Sequence, residues 1–250
     1  MTEMPSTSGA VLILGAGSDI ATALAREFAK TGHPIQLAVR EPANYETLKS
    51  DFEVRYQVPV SLHRFDALEI HHHGAFMAAL PSTPHVVVCA VGLLGEPGDQ
   101  GGDSTKMDLI MRTNYVAPAL AMEAAAKALA GIDGPTALIG ISSVAGDRGR
   151  ATNYLYGSAK AGFTAFLSGL RQKLSSTQVL VMTVKPGFVR TRMTEGMALP
   201  GMLTQTPENL ARQVVAALKR GCLVFYPFPW RYIMAIIKSL PEALFMRIRF

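Results

Sequence analysis

The chain has 250 residues, 49% of them hydrophobic and 17% charged, with a formal net charge of +5. That length supports one substantial core, and one α/β domain over 1–250 is the simplest reading. The basic residues form no long run and no nucleic-acid motif appears, so the charge suits a phosphorylated substrate or an anionic membrane surface ahead of nucleic acid.

In chain order, Met1 to Gly9 lacks the cationic-then-apolar pattern of a secretory signal. Short apolar runs then alternate with longer helical patterns. Strands are predicted at 10–14, 35–39, 60–64, 85–90, 136–141, 179–184 and 223–226. Helices are predicted between them at 18–31, 43–52, 71–80, 106–130, 154–174 and 207–220. This alternation implies a doubly wound parallel sheet with helices on both faces and right-handed crossovers. Ligands then belong at the carboxyl ends of the strands, near the switch in strand order. The stretch 74–95 carries no charged residue, but Pro81, Pro84 and His85 interrupt it. A helix end, a turn and a buried strand explain it better than a membrane span. Two cysteines, Cys89 and Cys222, make no disulfide framework and fit a reducing cytoplasm.

The first strand runs into Gly15-Ala16-Gly17-Ser18-Asp19-Ile20-Ala21. Gly15 permits a tight turn, and backbone N–H groups at the helix start that follows can face a diphosphate. The second strand ends Val39-Arg40. An acid at its end would bind the ribose hydroxyls of NAD. A guanidinium there pairs instead with the 2′-phosphate of NADP. NADP(H) is therefore the expected cofactor, with NAD(H) as the alternative.

Later in the chain, Ser143 precedes Tyr156 by thirteen residues, and Lys160 follows Tyr156 by four. In a helix, positions four apart share a face. An ammonium beside a phenol stabilises the phenolate, so the tyrosine pKa is expected to fall from its reference near ~10 towards neutrality. A phenol so tuned exchanges the proton that accompanies hydride transfer to a ketone.

Ser143, Tyr156-x-x-x-Lys160, an upstream Asn114 and the segment at Gly15 together resemble a short-chain dehydrogenase/reductase over nearly the whole chain. The resemblance implies a Rossmann-type fold, catalytic roles for Asn114, Ser143, Tyr156 and Lys160, and a homo-oligomer. It selects Ser143 over Ser142 by the thirteen-residue spacing. It gives Asn114 a water that links the lysine to solvent, and Lys160 the nicotinamide ribose. It assigns the diphosphate turn to Gly15, Gly17, Ser18, Asp19 and Ile20, adenine to Asp66, and the strand-end backbone to Ala90 and Gly92. It places Pro186, Gly187, Val189 and Thr191 at the nicotinamide carboxamide. The family pattern Gly-x-x-x-Gly-x-Gly keeps only Gly15 here, with Asp19 and Ala21 at the other two places. A carboxylate at 19 repels phosphate unless it turns outward towards the helix N-terminus.

Five segments are similar to a narrower branch that reduces a keto-sugar carried on a polyprenyl phosphate. They are Phe65-Asp66-Ala67-Leu68, Val91-Gly92-Leu93-Leu94-Gly95, 142–148, 189–193 and 229–234. Residues 227–250 read as an amphipathic extension of the domain. Within it Trp230, Ile233, Met234, Ile237 and Leu240 form one helical stripe. Eleven residues rise only about 16 Å, too short to span a bilayer. A membrane-surface contact, a flap on the substrate pocket and a dimer element all fit that pattern. The run His71-His72-His73 is read as a solvated helix start and not as a metal site, because consecutive helical residues point in different directions.

Overall fold

Runs such as Val86-Val87-Val88-Cys89 are β-branched, continuously apolar and uncharged, which suits strands buried on both faces. In the computed structural model, which describes residues 9–95 and 102–248, these runs form one parallel sheet. Its strands are β1 (Val11–Leu14), β2 (Ile35–Val39), β3 (Val60–Arg64), β4 (Val86–Cys89), β5 (Thr136–Ile141) and β6 (Val179–Val184). Two strands of two residues, β7 (Phe188–Val189) and β8 (Thr204–Gln205), pair separately, and β9 (Val224–Phe225) completes the main sheet. The order is β3-β2-β1-β4-β5-β6-β9, so the winding reverses between β1 and β4.

Helices cover both faces, as the alternating pattern requires. On one side α1 (Asp19–Ala29), α2 (Glu46–Tyr56) and α7 (Pro207–Lys219) pack against Val11, Ile13, Leu37 and Val88. On the other α3 (His73–Ala78), α5 (Ala117–Leu129) and α6 (Tyr154–Lys173) pack against Leu12, Leu14, Val87 and Leu138. Neighbouring strand residues thus feed opposite cores, the period-2 alternation of a pleated strand.

The predicted helix 106–130 is one helical rod with a fault in it. It comprises α4 (Ser104–Met111), a π-helical turn over Arg112–Val116, and α5. Pro118 has no N–H, so it cannot bond the carbonyl of Asn114 as an α-helix demands. The turn widens, and the N–H of Ala117 bonds Arg112 O instead. The histidine run differs from expectation too. His71 and His72 are exposed, but His73 opens α3 as a buried residue. Its Nε2 lies 3.0 Å from Ala67 O and its ring lies on Phe65. Among the described residues, no three His, Cys, Asp or Glu side chains gather as a metal site would require.

The tail forms α8 (Trp230–Ser239) and α9 (Glu242–Phe245); Arg249 and Phe250 of the predicted tail, and the N-terminal segment before Gly9, lie outside the described residues. Among the described residues no helix is long and apolar enough to cross a membrane. Arg148 fixes the tail to the body. Its guanidinium donates to the carbonyls of Ile237, Lys238 and Leu240 and to Glu242 at 2.7 Å, and stacks 4.3 Å over the Phe245 ring. Beneath it, the buried Lys185 ammonium pairs with Asp147, whose other oxygen accepts from the Tyr226 hydroxyl at 2.8 Å.

Breaking that buried pair exposes one ion to an apolar interior. Asp147→Ala should therefore cost about 3–5 kcal/mol in denaturant unfolding. Lys30→Ala, which breaks a surface pair with Glu27, should cost under about 1 kcal/mol. Equal losses would mean that the Lys185–Asp147–Tyr226 group does not hold the strand ends together.

Candidate active site

The carboxyl ends of six strands open on one side, and residues just beyond each line a cavity of about 760 Å³. Gly15 follows β1, Arg40 follows β2, Asp66 lies beyond β3, Ala90 follows β4, Ser142 and Ser143 follow β5, and Pro186 lies beyond β6. Every residue placed in the site from the sequence lines this cavity except Asn114, which is fully buried behind it.

At one end the Gly15 backbone has φ +77°, and an added Cβ would stand 3.2 Å from the Val91 backbone N. A Cβ on Gly17 would meet the Tyr45 hydroxyl at 2.3 Å. Ser18 caps α1, its Oγ accepting from Ala21 N at 3.1 Å. Backbone without side chains beside a capped helix N-terminus is a cradle for phosphate oxygens. Arg40 stands exposed at this end without a carboxylate partner among the described residues. Asp66 turns one oxygen to Leu68 N at 2.9 Å. The residues present therefore fit a dinucleotide. Tyr45, on the 3₁₀ turn after β2, belongs to this end and has no signal in the sequence beyond its neighbourhood.

Asp19 does not face the turn. Its carboxylate accepts from Arg192 N at 2.7 Å and from Arg192 Nε at 2.9 Å, and the same guanidinium donates to Gly17 O. The loop after β7 is thereby latched across the glycine turn. The partners are 173 residues apart, so no local pattern announces them.

At the other end Ser142 and Ser143 separate cleanly. Ser142 is buried and donates to Lys160 O at 3.0 Å, with Thr164 Oγ1 at 2.7 Å. Ser143 faces the cavity and accepts from Ala145 N at 3.1 Å. Lys160 is buried, and its Nζ donates to Ile141 O at 3.1 Å and Val91 O at 3.4 Å. Gly92 makes room for it: a Cβ there would lie 3.4 Å from Nζ and 3.2 Å from Asn114 Oδ1. Asn114 donates to Leu93 O at 2.7 Å and to Ile110 O at 2.9 Å, and accepts from Leu93 N at 3.0 Å. Its side chain clamps the loop after β4, and Pro118, four residues on, has no N–H to offer its main-chain carbonyl.

The phenol differs from expectation. Burial pushes Tyr156 up to about 12, against a smaller lowering by the Ser143 hydrogen bond. Burial also pushes Lys160 down to about 8. The ammonium lies 5.8 Å from the Tyr156 ring centroid and spends its hydrogen bonds on strand-end carbonyls. Desolvation therefore outweighs the attraction that the i, i+4 spacing suggests.

The tail walls this end. Trp230 lines the cavity, and a Cβ on Gly187 would fall 1.9 Å from its ring. Its Nε1 donates to Leu203 O at 3.3 Å, and Met234 is buried beside it with Val144. Thr191, at the start of the next turn, forms a capping box with Thr194.

The family model for short chain dehydrogenase matches residues 9–199. The chain belongs to the short-chain dehydrogenase family. It is 35% identical, over 95% of its length and 96% of the relative's, to an uncharacterized oxidoreductase of Mycobacterium tuberculosis strain H37Rv. An uncharacterized oxidoreductase of Streptomyces coelicolor is 34% identical over 95% of both chains. Among solved structures, a short chain dehydrogenase from Burkholderia cenocepacia in complex with NADP superposes with a TM-score of 0.82 at 19% identity, covering 97% of this chain and 98% of that one. A 3-oxoacyl-[acyl-carrier protein] reductase from Brucella melitensis in complex with NAD gives 0.78 at 23%, covering 89% and 96%. At these identities the structures show the fold. Family membership makes the chain an NAD(P)-dependent oxidoreductase.

The latch generates a prediction on the cofactor. Arg192→Ala leaves the Asp19 charge beside the diphosphate cradle and should weaken dinucleotide binding about 3–10-fold at low salt, on the order of 1 kcal/mol. Asp19→Ala should not weaken it. The gap should close at high salt, where screening shortens to about 3 Å. Fluorescence titration checks both, and equal losses in the two variants would refute the latch.

Proposed function

We propose that the protein is an NADP(H)-dependent ketone reductase and that Tyr156 is its general acid. The observation that carries this reading is that Ser143, Tyr156 and Lys160 line the same cavity as the glycine turn fit for a dinucleotide, with burial pushing the Tyr156 phenol up so that it keeps its proton. A protonated acid beside a carbonyl favours reduction.

In this reading the backbone N–H groups of Gly15, Gly17, Ser18, Asp19 and Ile20 would hold the diphosphate, with the Asp19 carboxylate turned away to Arg192, while Arg40 would hold the 2′-phosphate and Asp66 the adenine. Ala90 and Gly92 would flank the ribose held by Lys160, and Pro186, Gly187, Val189 and Thr191 would receive the carboxamide. The bound nicotinamide supplies the hydride for the carbonyl carbon. Ser143 orients the carbonyl oxygen, and Tyr156 gives that oxygen its proton. The phenolate left behind shares a helix face with Lys160, whose ammonium balances it. Asn114 keeps the loop after β4 in place beside Lys160 and would anchor the water of the relay.

The substrate we favour is a keto-sugar on a polyprenyl phosphate, by resemblance to the decaprenylphosphoryl-2-keto-erythro-pentose reductases. The tail supports it. The inner face of α8 walls the cavity through Trp230, while Phe228, Tyr232 and Ile236 form an exposed ridge on the outside, with Arg231 and Lys238 on the same helix. An apolar ridge with basic neighbours suits the surface of an anionic bilayer, where such a carrier lies. A cytoplasmic enzyme touching the inner membrane face, assembled as a homo-oligomer through α4 and α5, completes the reading; Leu109 and Leu120 stand exposed there.

Two measurements test it. Tyr156→Phe should keep cofactor affinity and lose about 10²–10⁴-fold in turnover of a ketone with NADPH; a comparable kcat would remove Tyr156 from the chemistry. The wild type should bind NADPH more tightly than NADH, and Arg40→Ala should narrow the difference, since one charged phosphate contact is worth about 1.5–3 kcal/mol. Equal affinities in the wild type would end the NADP(H) assignment.

A further inference from the structure

Arg150 lines the cavity in the loop between β5 and α6, half-buried, and among the described residues no carboxylate, carbonyl or hydroxyl partners its guanidinium. The other cations at the site are engaged. Arg192 is paired with Asp19, Lys160 with two strand-end carbonyls, and Arg148 with the tail. Arg40 stands at the adenosine end. Burial lowers the Arg150 pKa from its ordinary value, the mark of a guanidinium losing water without gaining an anion.

A second orphan lies beside it. The Asn153 N–H donates to Arg150 O at 3.1 Å, so one turn carries both residues. Asn153 is the N-cap of α6, where an asparagine side chain ordinarily accepts from the first turn. Here it makes no such bond, and its Oδ1 is buried without a partner. Asn153 lines the same cavity, three residues before Tyr156. A buried acceptor without a donor is costly unless a ligand supplies one.

The cofactor does not account for the pair. Its diphosphate belongs at the turn after β1, and β5 lies two strands away across β4, about 10 Å at the usual strand spacing. The two orphans lie on the Tyr156 side and ask for complementary groups: an anion for Arg150 and a hydroxyl donor for Asn153. A hydroxylated anionic ketone carries both.

We infer that Arg150 and Asn153 recognise a phosphate ester of a keto-sugar, Arg150 pairing with the phosphate and Asn153 Oδ1 accepting from a sugar hydroxyl. The inference rests on the reading of the site as a ketone reductase. The phosphate is that of a free sugar monoester or that of a prenyl diester, and the ligands below separate the two.

Trp230 is the single tryptophan of the chain and lines the cavity, so its fluorescence reports occupancy. The enzyme saturated with NADP⁺ is titrated with a keto-pentose, with its phosphate monoester and with its geranyl phosphate diester. The wild type should bind at least one phosphorylated ligand about 10-fold or more tightly than the neutral sugar. Arg150→Ala should abolish that preference, and Arg150→Lys should restore part of it. Asn153→Ala should weaken all three ligands alike. Affinity for NADP⁺ should stay unchanged throughout. The tighter of the two esters names the source of the phosphate. The inference is overturned if the wild type shows no preference, if Arg150→Ala keeps it, or if Arg150→Ala lowers NADP⁺ affinity instead. Because binding is read without turnover, a phosphate preference without NADPH oxidation would refute ketone reduction and leave the recognition site standing. Oxidation without preference would do the reverse.

Discussion

The burial of one ammonium organises this site. Lys160 enters the interior only because the carbonyls after β4 and at the end of β5 receive its Nζ, and because Gly92 leaves it space. Its main chain is held as well, by Ser142 through its carbonyl and by the close approach of Gly146, where a Cβ would lie 2.8 Å from Lys160 C. The end of the sheet, the start of α6 and the loop clamped by Asn114 therefore meet at one residue. An unpaired buried ion would cost several kcal/mol, and the lowered pKa of Lys160 expresses what remains of that cost. The neighbouring phenol answers the same desolvation by keeping its proton. When that proton leaves, the phenolate shares a helix face with an ammonium, so each ion of the pair is better tolerated with the other than alone.

The fold was legible because each strand is a continuous apolar run and each helix a longer amphipathic one; β2, β3, β5 and β6 fall at their predicted bounds. The Tyr156–Lys160 pair was legible because helical spacing turns sequence distance into a shared face, whereas Ser143 was legible only through the family resemblance. What stayed hidden depends on contacts between distant segments. The Asp19–Arg192 latch joins residues 173 apart. The phenol pKa depends on how deeply the i, i+4 pair is buried, which spacing does not encode. His73 reads as solvated beside two exposed histidines, yet it is drawn inward by Phe65. The π turn did leave a trace, in Pro118 four residues after Asn114: a helix cannot satisfy that carbonyl, and the backbone must widen or break.

The tail is bound to the site twice, by different chemistry. Trp230 fills the space that Gly187 leaves open, directly under the segment proposed for the carboxamide. Arg148, five residues beyond Ser143, caps the carboxyl end of α8. A guanidinium at a helix C-terminus meets both the free carbonyls and the negative end of the dipole. Any displacement of α8 therefore disturbs the loop that carries Ser143 and the segment that carries Gly187 at once. Of the three meanings its amphipathic pattern allowed, the inner face is committed to the pocket, and the outer ridge of Phe228, Tyr232 and Ile236 is left for a surface.

Charge along the cavity follows an order that the net value of +5 conceals. Arg40 stands after β2, Arg192 over the glycine turn and Arg150 in the loop before Tyr156. Arg192 is neutralised by Asp19, the acid that replaces a glycine of the family pattern, so the one cation nearest the diphosphate is the one that carries its own counter-ion. The helix N-terminus already supplies positive potential there, and a second free guanidinium would bind the diphosphate at the expense of release. Towards the two ends the arginines are left without carboxylates among the described residues. The spacing of free cations then agrees with the proposed ligand set, in which an anion lies at each end.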